Sequence, residues 1–211
     1  MLSFTGSLET SEKLRNHPAV SVNAVRFIAE RDSLNAAVLG PDAVPGTPEF
    51  DLFVKEVVRE MTTKAGQKCT AIRRVLVPRT VEKEAIAAIS AGLSKITVGD
   101  PRRDDVRMGA LASRAQREAV RGAVRELLTE AEIVHGSLDD GEPIGADAKT
   151  GAFMAPILLR VREPMAAVKV HAVEPFGPVA TVVAYDDLDQ AITLVARGEG
   201  SLVASVHTYD P

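Results

Sequence analysis

Short apolar segments alternate along this sequence with longer segments of helical periodicity, and this alternation is the feature that most limits the possible folds. The strongest helical pattern has apolar residues spaced i, i+3, i+4, i+7, i+8 and i+11: Phe50, Phe53, Val54, Val57, Val58 and Met61. Thr47 and Pro48 supply an N-cap and a first-turn proline, and Gly66 can end the helix in the left-handed conformation. The sequence then predicts a short buried strand at residues 75–77, ahead of Pro78.

Further segments of both kinds follow along the chain. Periodicity predicts helices over residues 80–95, 113–130 and 187–197, and short apolar runs predict strands at 133–134, 157–159, 178–185 and 202–207. Residues 139–151 contain three glycines and four acidic residues, which predicts a surface loop. Strands alternating with helices indicate an α/β protein with a largely parallel sheet.

The composition is that of a globular protein with a substantial core. Of the 211 residues, 45% are hydrophobic and 26% are charged, so enough apolar surface is present to offset the entropy lost on folding. The 25 basic and 29 acidic residues give a net charge of −4. This mild acidity argues against a general nucleic-acid or membrane-surface role, because both favour a basic face. We predict neither kind of partner.

Simple features exclude other classes of protein. No apolar run approaches the roughly 18 residues of a membrane-spanning helix, and the N-terminal segment lacks the charged and apolar regions of a signal peptide. The single cysteine, Cys69, excludes an intramolecular disulfide and a cysteine-based zinc site, and the four histidines have no ligand spacing. We therefore predict no metal site and a reducing, cytoplasmic compartment.

Cys69 is the first candidate for chemistry. It lies in the turn Gly66-Gln67-Lys68-Cys69-Thr70 between a predicted helix and a predicted strand, where loops commonly hold reactive groups. Lys68 adds positive charge next to it in the sequence, but the preceding helix presents its C-terminus, so no helix dipole lowers the pKa of the thiol. The alternative is a small buried hydrophobic residue.

Three other segments are candidates. Glu30 follows the apolar run 25–29, and a carboxylate at the end of a buried strand can have a raised pKa and act as a base, although a surface glutamate gives the same pattern. Residues 174–178 form a rigid turn that either presents Glu174 and Phe176 to a ligand or places Phe176 in the core. Residues 4–7 indicate a strand-to-helix turn with Ser7 or Thr10 as its N-cap.

Taken in order, these segments resemble the aldehyde dehydrogenase superfamily. The matching segments are Phe4-Thr5-Gly6-Ser7, Glu30, Gly66-Gln67-Lys68-Cys69, Glu174-Pro175-Phe176-Gly177-Pro178 and residues 200–206. The run EVVREMTTKAGQKCTAIRR (residues 56–74), residues 30–35, Val98-Gly99-Asp100-Pro101 and Met108-Gly109-Ala110-Leu111 resemble in particular a bacterial branch. That branch oxidises ring-opened CoA-thioester semialdehydes in aerobic phenylacetate and benzoate degradation.

The resemblance implies an aldehyde oxidation carried out through a cysteine. Cys69 would be the nucleophile that adds to the aldehyde, and its backbone N–H would be one oxyanion-hole donor. Glu30 would be the general base for hydrolysis of the thioester. Glu30 is followed by Arg31-Asp32-Ser33, whereas most of the superfamily has Leu-Gly-Gly there; the semialdehyde branch shares this difference. The substrate implied is a small aldehyde, in particular a CoA-linked one.

The resemblance also implies a cofactor, NADP or NAD, and a fold. Glu174 would bind the nicotinamide ribose with Phe176 packed beside it, and Gly6 and Ser7 would approach the nicotinamide side. We expect residues 1–29 to be the end of a dinucleotide-binding domain, most of which this chain lacks. Residues 30–211 would be a three-layer α/β catalytic domain with a largely parallel sheet.

Family enzymes are more than twice as long as this chain and are homo-oligomers, so we expect the 211 residues alone to bind the dinucleotide weakly and turn over poorly. Two other hypotheses remain open from the sequence. One is a non-catalytic truncated remnant or interaction domain that keeps the fold. The other is an unrelated cysteine hydrolase, which would need a histidine partner for Cys69.

Overall fold

The computed structural model describes residues 1–139, 141–199 and 201–210. By its internal contacts the chain divides into two compact units, residues 1–33 and 34–211. The first unit contains strand β1 (Leu2–Thr5), helices α1 (Leu8–Arg15) and α2 (Pro18–Ser21), and strand β2 (Phe27–Glu30). Strands β1 and β2 are parallel, with Leu2 opposite Phe27 and Thr5 opposite Glu30.

The second unit is built on a six-stranded sheet with the order β5-β6-β7-β4-β3-β8. Its strands are β3 (Ala36–Leu39), β4 (Arg74–Pro78), β5 (Ala131–His135), β6 (Ile157–Val161), β7 (Val179–Tyr185) and β8 (Ala204–His207). Strand β5 pairs antiparallel with β6, and every other neighbouring pair is parallel. The predicted largely parallel sheet is confirmed.

Helices cover both faces of this sheet. They are α3 (Pro48–Thr62), α4 (Glu82–Leu93), α5 (Arg114–Leu127) and α6 (Leu188–Ala196). Strand residues alternate between the two hydrophobic cores: Val75 and Val77 of β4 pack with buried residues of α3 and α4, whereas Leu76 packs with those of α5 and α6. This alternation follows from the period of two along a strand. The predicted three-layer α/β arrangement is thus confirmed.

The N-terminal signals of α3 act as predicted. Thr47 accepts a hydrogen bond from the Phe50 N–H at 3.3 Å, and Pro48 is at the first helical position. The predicted helix at 80–95 is shorter than expected, because residues 79–81 form a 3₁₀ turn before α4 begins at Glu82. None of the described helices has the length and apolar character needed to cross a membrane.

Two expectations about the strands are wrong. Strand β2 is not buried: its residues are alternately half-buried and exposed, and Glu30 itself is exposed. Residues of β1 alternate in the same way, so one face of this two-stranded sheet is half-buried and the other is exposed. The strand predicted at 202–207 is shorter, since β8 begins at Ala204. Asp140 of the predicted loop and Gly200 of the family pattern lie outside the described residues.

Candidate active site

Cys69 lies in a tightly turned connection between α3 and β4, residues 63–71, which we call the cysteine loop. Three consecutive residues after the helix, Lys64, Ala65 and Gly66, have positive φ angles of 54°, 52° and 69°. The prediction that Gly66 is left-handed is therefore confirmed, and two non-glycine residues share its conformation. The loop then closes with a hydrogen bond from the Ala71 N–H to the Lys68 carbonyl at 3.2 Å.

The thiol-bearing residue of this loop is accessible. Cys69 is exposed, so the alternative of a buried hydrophobic residue is wrong. Within the described part of the chain, no hydrogen bond takes the Cys69 backbone N–H. Lys68 is directed elsewhere, because its ammonium group lies 2.6 Å from the Glu60 carboxylate of α3. The charge of Lys68 is thus paired with an acid rather than committed to the thiol.

The buried side chain of Asn35 fixes the position of the cysteine loop. Its Nδ2 donates to the carbonyl oxygens of Cys69 at 2.8 Å and Ala71 at 3.0 Å. Its Oδ1 accepts from the N–H groups of Leu202 at 3.0 Å and Val203 at 2.9 Å. Asn35 is only 1% exposed. One amide therefore holds the cysteine turn and the segment before β8 against the start of β3.

Arg73 connects the cysteine loop to the turn that carries Glu174. Its Nη2 donates to the Gly66 carbonyl at 2.7 Å, its Nη1 to the Gly177 carbonyl at 2.8 Å and its Nε to Glu174 Oε1 at 3.3 Å. Arg73 is 2% exposed and the Glu174 side chain 6%. Burial lowers the pKa of the Arg73 guanidinium, and the Glu174 carboxylate counteracts that effect.

Phe176 is half-buried and lies beside the same arginine. The Arg73 Cζ atom is 5.5 Å from the centre of the Phe176 ring, a cation–π distance. Gln116 of α5 donates from Nε2 to the Phe176 carbonyl at 2.8 Å, which ties this turn to the helix. The predicted turn therefore presents Glu174 and Phe176 to one neighbour, Arg73, next to the cysteine loop.

An open cavity of about 540 Å³ borders the cysteine loop on another side. Residues 62–65 and Gln67 line one wall, and residues 107–110 together with Ala112 line the other. The two walls are connected, because the Ala112 N–H donates to Gln67 Oε1 at 2.9 Å. The cavity offers space for a small organic molecule close to the loop that carries the thiol.

The remaining predicted site residues belong to the first unit. The Ser7 side chain accepts a hydrogen bond from the Thr10 N–H at 3.3 Å, which makes Ser7 rather than Thr10 the N-cap of α1. The Gly6 N–H donates to the Glu30 carbonyl at 3.1 Å. The structure thus brings Gly6, Ser7 and Glu30 to one end of the β1–β2 pair. It brings Cys69, Glu174 and Phe176 together in the second unit.

Reasoning from the sequence missed Asn35 and Arg73 as organising residues. A polar residue directly before the apolar run Ala36–Leu39 was a weak signal for Asn35. A charged residue at the entry of the buried strand β4 was a similar signal for Arg73. Neither pattern reveals a partner that is distant in the sequence.

Among the described residues, no group of three or more His, Cys, Asp or Glu side chains could hold a metal ion.

Comparison with known proteins identifies the class to which this fold and site belong. The chain is a member of the aldehyde dehydrogenase family, since the profile of the "Aldehyde dehydrogenase family" matches residues 1–211. The predicted resemblance is confirmed.

Individual relatives agree with this assignment. The chain is 51% identical over 210 residues to the 3,4-dehydroadipyl-CoA semialdehyde dehydrogenase of Aromatoleum evansii, covering 100% of this chain and 41% of that protein. It is similar to the Mycobacterium tuberculosis aldehyde dehydrogenase complexed with NAD+ (27% identity, TM-score 0.78, 99% of this chain and 40% of that one). It is also similar to the NADP-dependent glyceraldehyde-3-phosphate dehydrogenase of Bacillus halodurans complexed with NADP (25% identity, TM-score 0.76, 99% of this chain and 39% of that one). The chain therefore spans about two fifths of the length of these relatives.

Proposed function

We propose that this chain carries the nucleophile of an NAD(P)-dependent aldehyde dehydrogenase that acts on a CoA-linked semialdehyde. The observation that carries the proposal is the exposed Cys69, held by Asn35 and joined through Arg73 to Glu174. The 51% identity to a CoA-semialdehyde dehydrogenase supports the substrate class. Relatives complexed with NAD+ and with NADP support a nicotinamide dinucleotide of either kind.

The first step follows from the accessible thiol. The Cys69 thiolate attacks the aldehyde carbon, a carbon–sulfur bond forms, and the carbonyl π electrons move to oxygen. The Cys69 backbone N–H, which donates to no other acceptor in the described chain, would donate to that oxyanion. The Asn35 bond to the Cys69 carbonyl holds the same turn during the attack. The cavity of about 540 Å³ borders the first part of the same loop, at residues 63–65 and Gln67.

The residues present fit a nicotinamide dinucleotide. Glu174 offers a carboxylate for ribose hydroxyl groups and Phe176 offers a flat apolar surface, both on the turn that Arg73 joins to the cysteine loop. When bound, the dinucleotide would be held by these residues and would supply the hydride acceptor that turns the carbon attached to Cys69 into a thioester. Gly6 and Ser7, at the end of β1, are the other proposed dinucleotide contacts.

Hydrolysis then releases the acid. Glu30 takes a proton from water, the hydroxide adds to the thioester carbon, and the carbon–sulfur bond breaks to return the Cys69 thiolate. Glu30 is exposed at the end of β2 and so is open to water.

The resemblance also supports a homo-oligomer in the cytoplasm, a compartment in which an exposed thiol stays reduced.

The test uses the protein as its organism produces it, with any sequence that flanks residues 1–211. The protein is mixed rapidly with a CoA-thioester semialdehyde and NADP or NAD. The amount of reduced dinucleotide is then measured over time. Cys69→Ala should abolish reduction, because no covalent intermediate forms. Glu30→Gln should retain a first burst of about one equivalent but lose steady turnover by roughly 10²–10⁴-fold, because only hydrolysis needs the base.

Each outcome distinguishes between the hypotheses. Retained oxidation in Cys69→Ala would contradict the proposal. A wild-type protein that oxidises no aldehyde would favour the non-catalytic alternative. Ester or thioester hydrolysis that survives without dinucleotide and is lost on replacing a histidine would favour the cysteine hydrolase.

A further inference from the structure

The guanidinium of Arg73 binds two segments that are far apart in the sequence. In the cysteine loop it donates to the carbonyls of Gly66 and Lys68, at 2.7 and 3.4 Å. In the opposite turn it donates to the Gly177 carbonyl and to Glu174. Because the donors of a guanidinium lie in one plane at fixed angles, these acceptors can be satisfied together only in one mutual arrangement of the two segments.

Burial makes this arrangement difficult to replace. Arg73 is 2% exposed and the Glu174 side chain 6%, so water has little access to either charge. A lysine at position 73 would keep the charge, but a single ammonium group cannot reach all of these acceptors in the same plane. The Phe176 ring, 5.5 Å from Arg73 Cζ, adds a contact to the same turn.

The neighbouring residue, Arg74, shows that a buried arginine in this strand need not join the two motifs. Its Nε donates to the Leu34 carbonyl, and its Nη atoms donate to the carbonyls of Leu194 and Val195 at the end of α6. None of these acceptors belongs to the cysteine loop or to the Glu174 turn. Arg74 fastens a helix to the sheet, whereas Arg73 fastens one proposed site segment to the other.

We propose that Arg73 is a positioning residue: it sets the Glu174 carboxylate, the proposed ribose ligand, at a fixed location relative to the Cys69 turn. This inference rests on the proposed function for the role of Glu174. Arg73 is 2% exposed, so we assign it no direct contact with aldehyde or dinucleotide. Its effect is to fix where the ribose is held relative to the carbon bound to Cys69, so that binding and hydride transfer depend on one buried side chain.

The experiment compares Arg73→Lys, Glu174→Gln and their double variant in the protein as its organism produces it. Arg79→Lys is the matched control, because Arg79 is an exposed arginine bound to Asp186 outside the site. Two readouts are measured: the KM for the dinucleotide together with kcat, and the rate of Cys69 alkylation by iodoacetamide without cofactor. Circular dichroism and thermal unfolding check that each variant is folded.

We expect Arg73→Lys to raise the KM for the dinucleotide about tenfold, the effect of one lost hydrogen bond, and to lower kcat as well. Glu174→Gln should raise the same KM, and the double variant should resemble the more affected single variant, because both changes act through one carboxylate. Arg73→Lys should also change the alkylation rate of Cys69 at least about twofold, since it loosens the Gly66 and Lys68 carbonyls. Arg79→Lys should change neither readout.

Equal alkylation rates and equal KM values in folded Arg73→Lys and wild-type proteins would overturn the inference. Additive effects in the double variant would overturn it as well. Should Arg73→Lys be insoluble, Glu174→Ala removes the acceptor of Arg73 Nε from the other end of the link and must then change the alkylation rate. The alkylation readout needs neither aldehyde nor dinucleotide, so failure of the proposed dehydrogenase activity leaves the test of Arg73 intact and is recognised separately.

Discussion

A Cβ atom added to Gly66 would overlap the carbonyl oxygen of Gly177, so the backbone of the cysteine loop is in direct contact with the backbone of the Glu174 turn. Gly66 also has a φ of +69°, where a side chain is strained. Two independent restrictions thus require glycine here. The short distance between these backbones is what allows the single Arg73 side chain to donate to both carbonyls.

Gly66→Ala should therefore lower the free energy of unfolding by about 2–5 kcal/mol, the sum of left-handed strain and overpacking. Urea unfolding measures the change. Gly122, inside α5, is the control, since nothing lies within 4 Å of an added Cβ atom. Gly122→Ala should raise stability by about 0.5–1 kcal/mol. Similar changes in the two variants would contradict the structural requirement at Gly66.

Asn35→Asp should destabilise the second unit severely. The change replaces the amide that donates to the Cys69 and Ala71 carbonyls by a carboxylate oxygen facing the same two oxygens in a buried site. We expect a loss of more than about 3 kcal/mol in urea unfolding, because one carboxylate oxygen then faces two carbonyl oxygens in a buried site and only the other keeps its two N–H donors. Asn23→Asp makes the same chemical change at an exposed position and should cost less than about 0.5 kcal/mol.

His171 should make stability depend on pH. Burial, followed by the charges of Arg74 and Arg197, lowers the pKa of His171 from 6.5 to about 4. Between these values the folded protein keeps the imidazole neutral, whereas the unfolded chain takes up a proton. Stability should therefore fall as the pH falls from 6.5 towards 4, by at most about 1.4 kcal/mol per pH unit for this one proton.

The measurement is the free energy of unfolding in urea at pH values across this range, for the wild-type protein and for His171→Gln. The difference between the two curves isolates His171 from the carboxylates that also titrate. The wild-type protein should lose more stability than the variant on acidification. Parallel curves would show that the imidazole is not held neutral by the fold.

Cys69→Ala should leave stability within about 0.5 kcal/mol, because an exposed side chain in a turn contributes little to the core. The same variant should lose all labelling by iodoacetamide under native conditions. A large loss of stability would show that the sulfur is packed rather than presented to solvent. Thermal unfolding measures the change in stability, and mass spectrometry measures the labelling by iodoacetamide.

The parts of the fold that the sequence predicts well are those with strong local signals. Helix α3 has an apolar stripe, a capping threonine and a first-turn proline, so local physics fixes its start at Pro48. Strand β3 was not predicted, because Ala36-Ala37-Val38-Leu39 is buried on both faces and has no alternation to detect. Its position depends on pairing with β4 and β8, and such long-range pairing has no local signature.

The residues of the candidate site also divide into those that have a local sequence signal and those that do not. Cys69 and the turn 174–178 were predicted from local residue patterns and from family resemblance. Of the two alternatives for Glu30, the structure shows the exposed one, because exposure depends on what covers β2 rather than on the apolar run before it. Asn35 and Arg73 were missed, because each acts on groups that are brought close only by the folded sheet.

The contact between Gly66 and Gly177 also limits what protein engineering can exchange in this chain. A cysteine loop grafted from another enzyme would have to bring a glycine at the position of Gly66 and keep an arginine at the position of Arg73. A grafted Glu174 turn would have to present its Gly177 carbonyl at the same place. The two segments therefore form a single transplantable module, and a chimera that takes only one of them should lose the alignment of both.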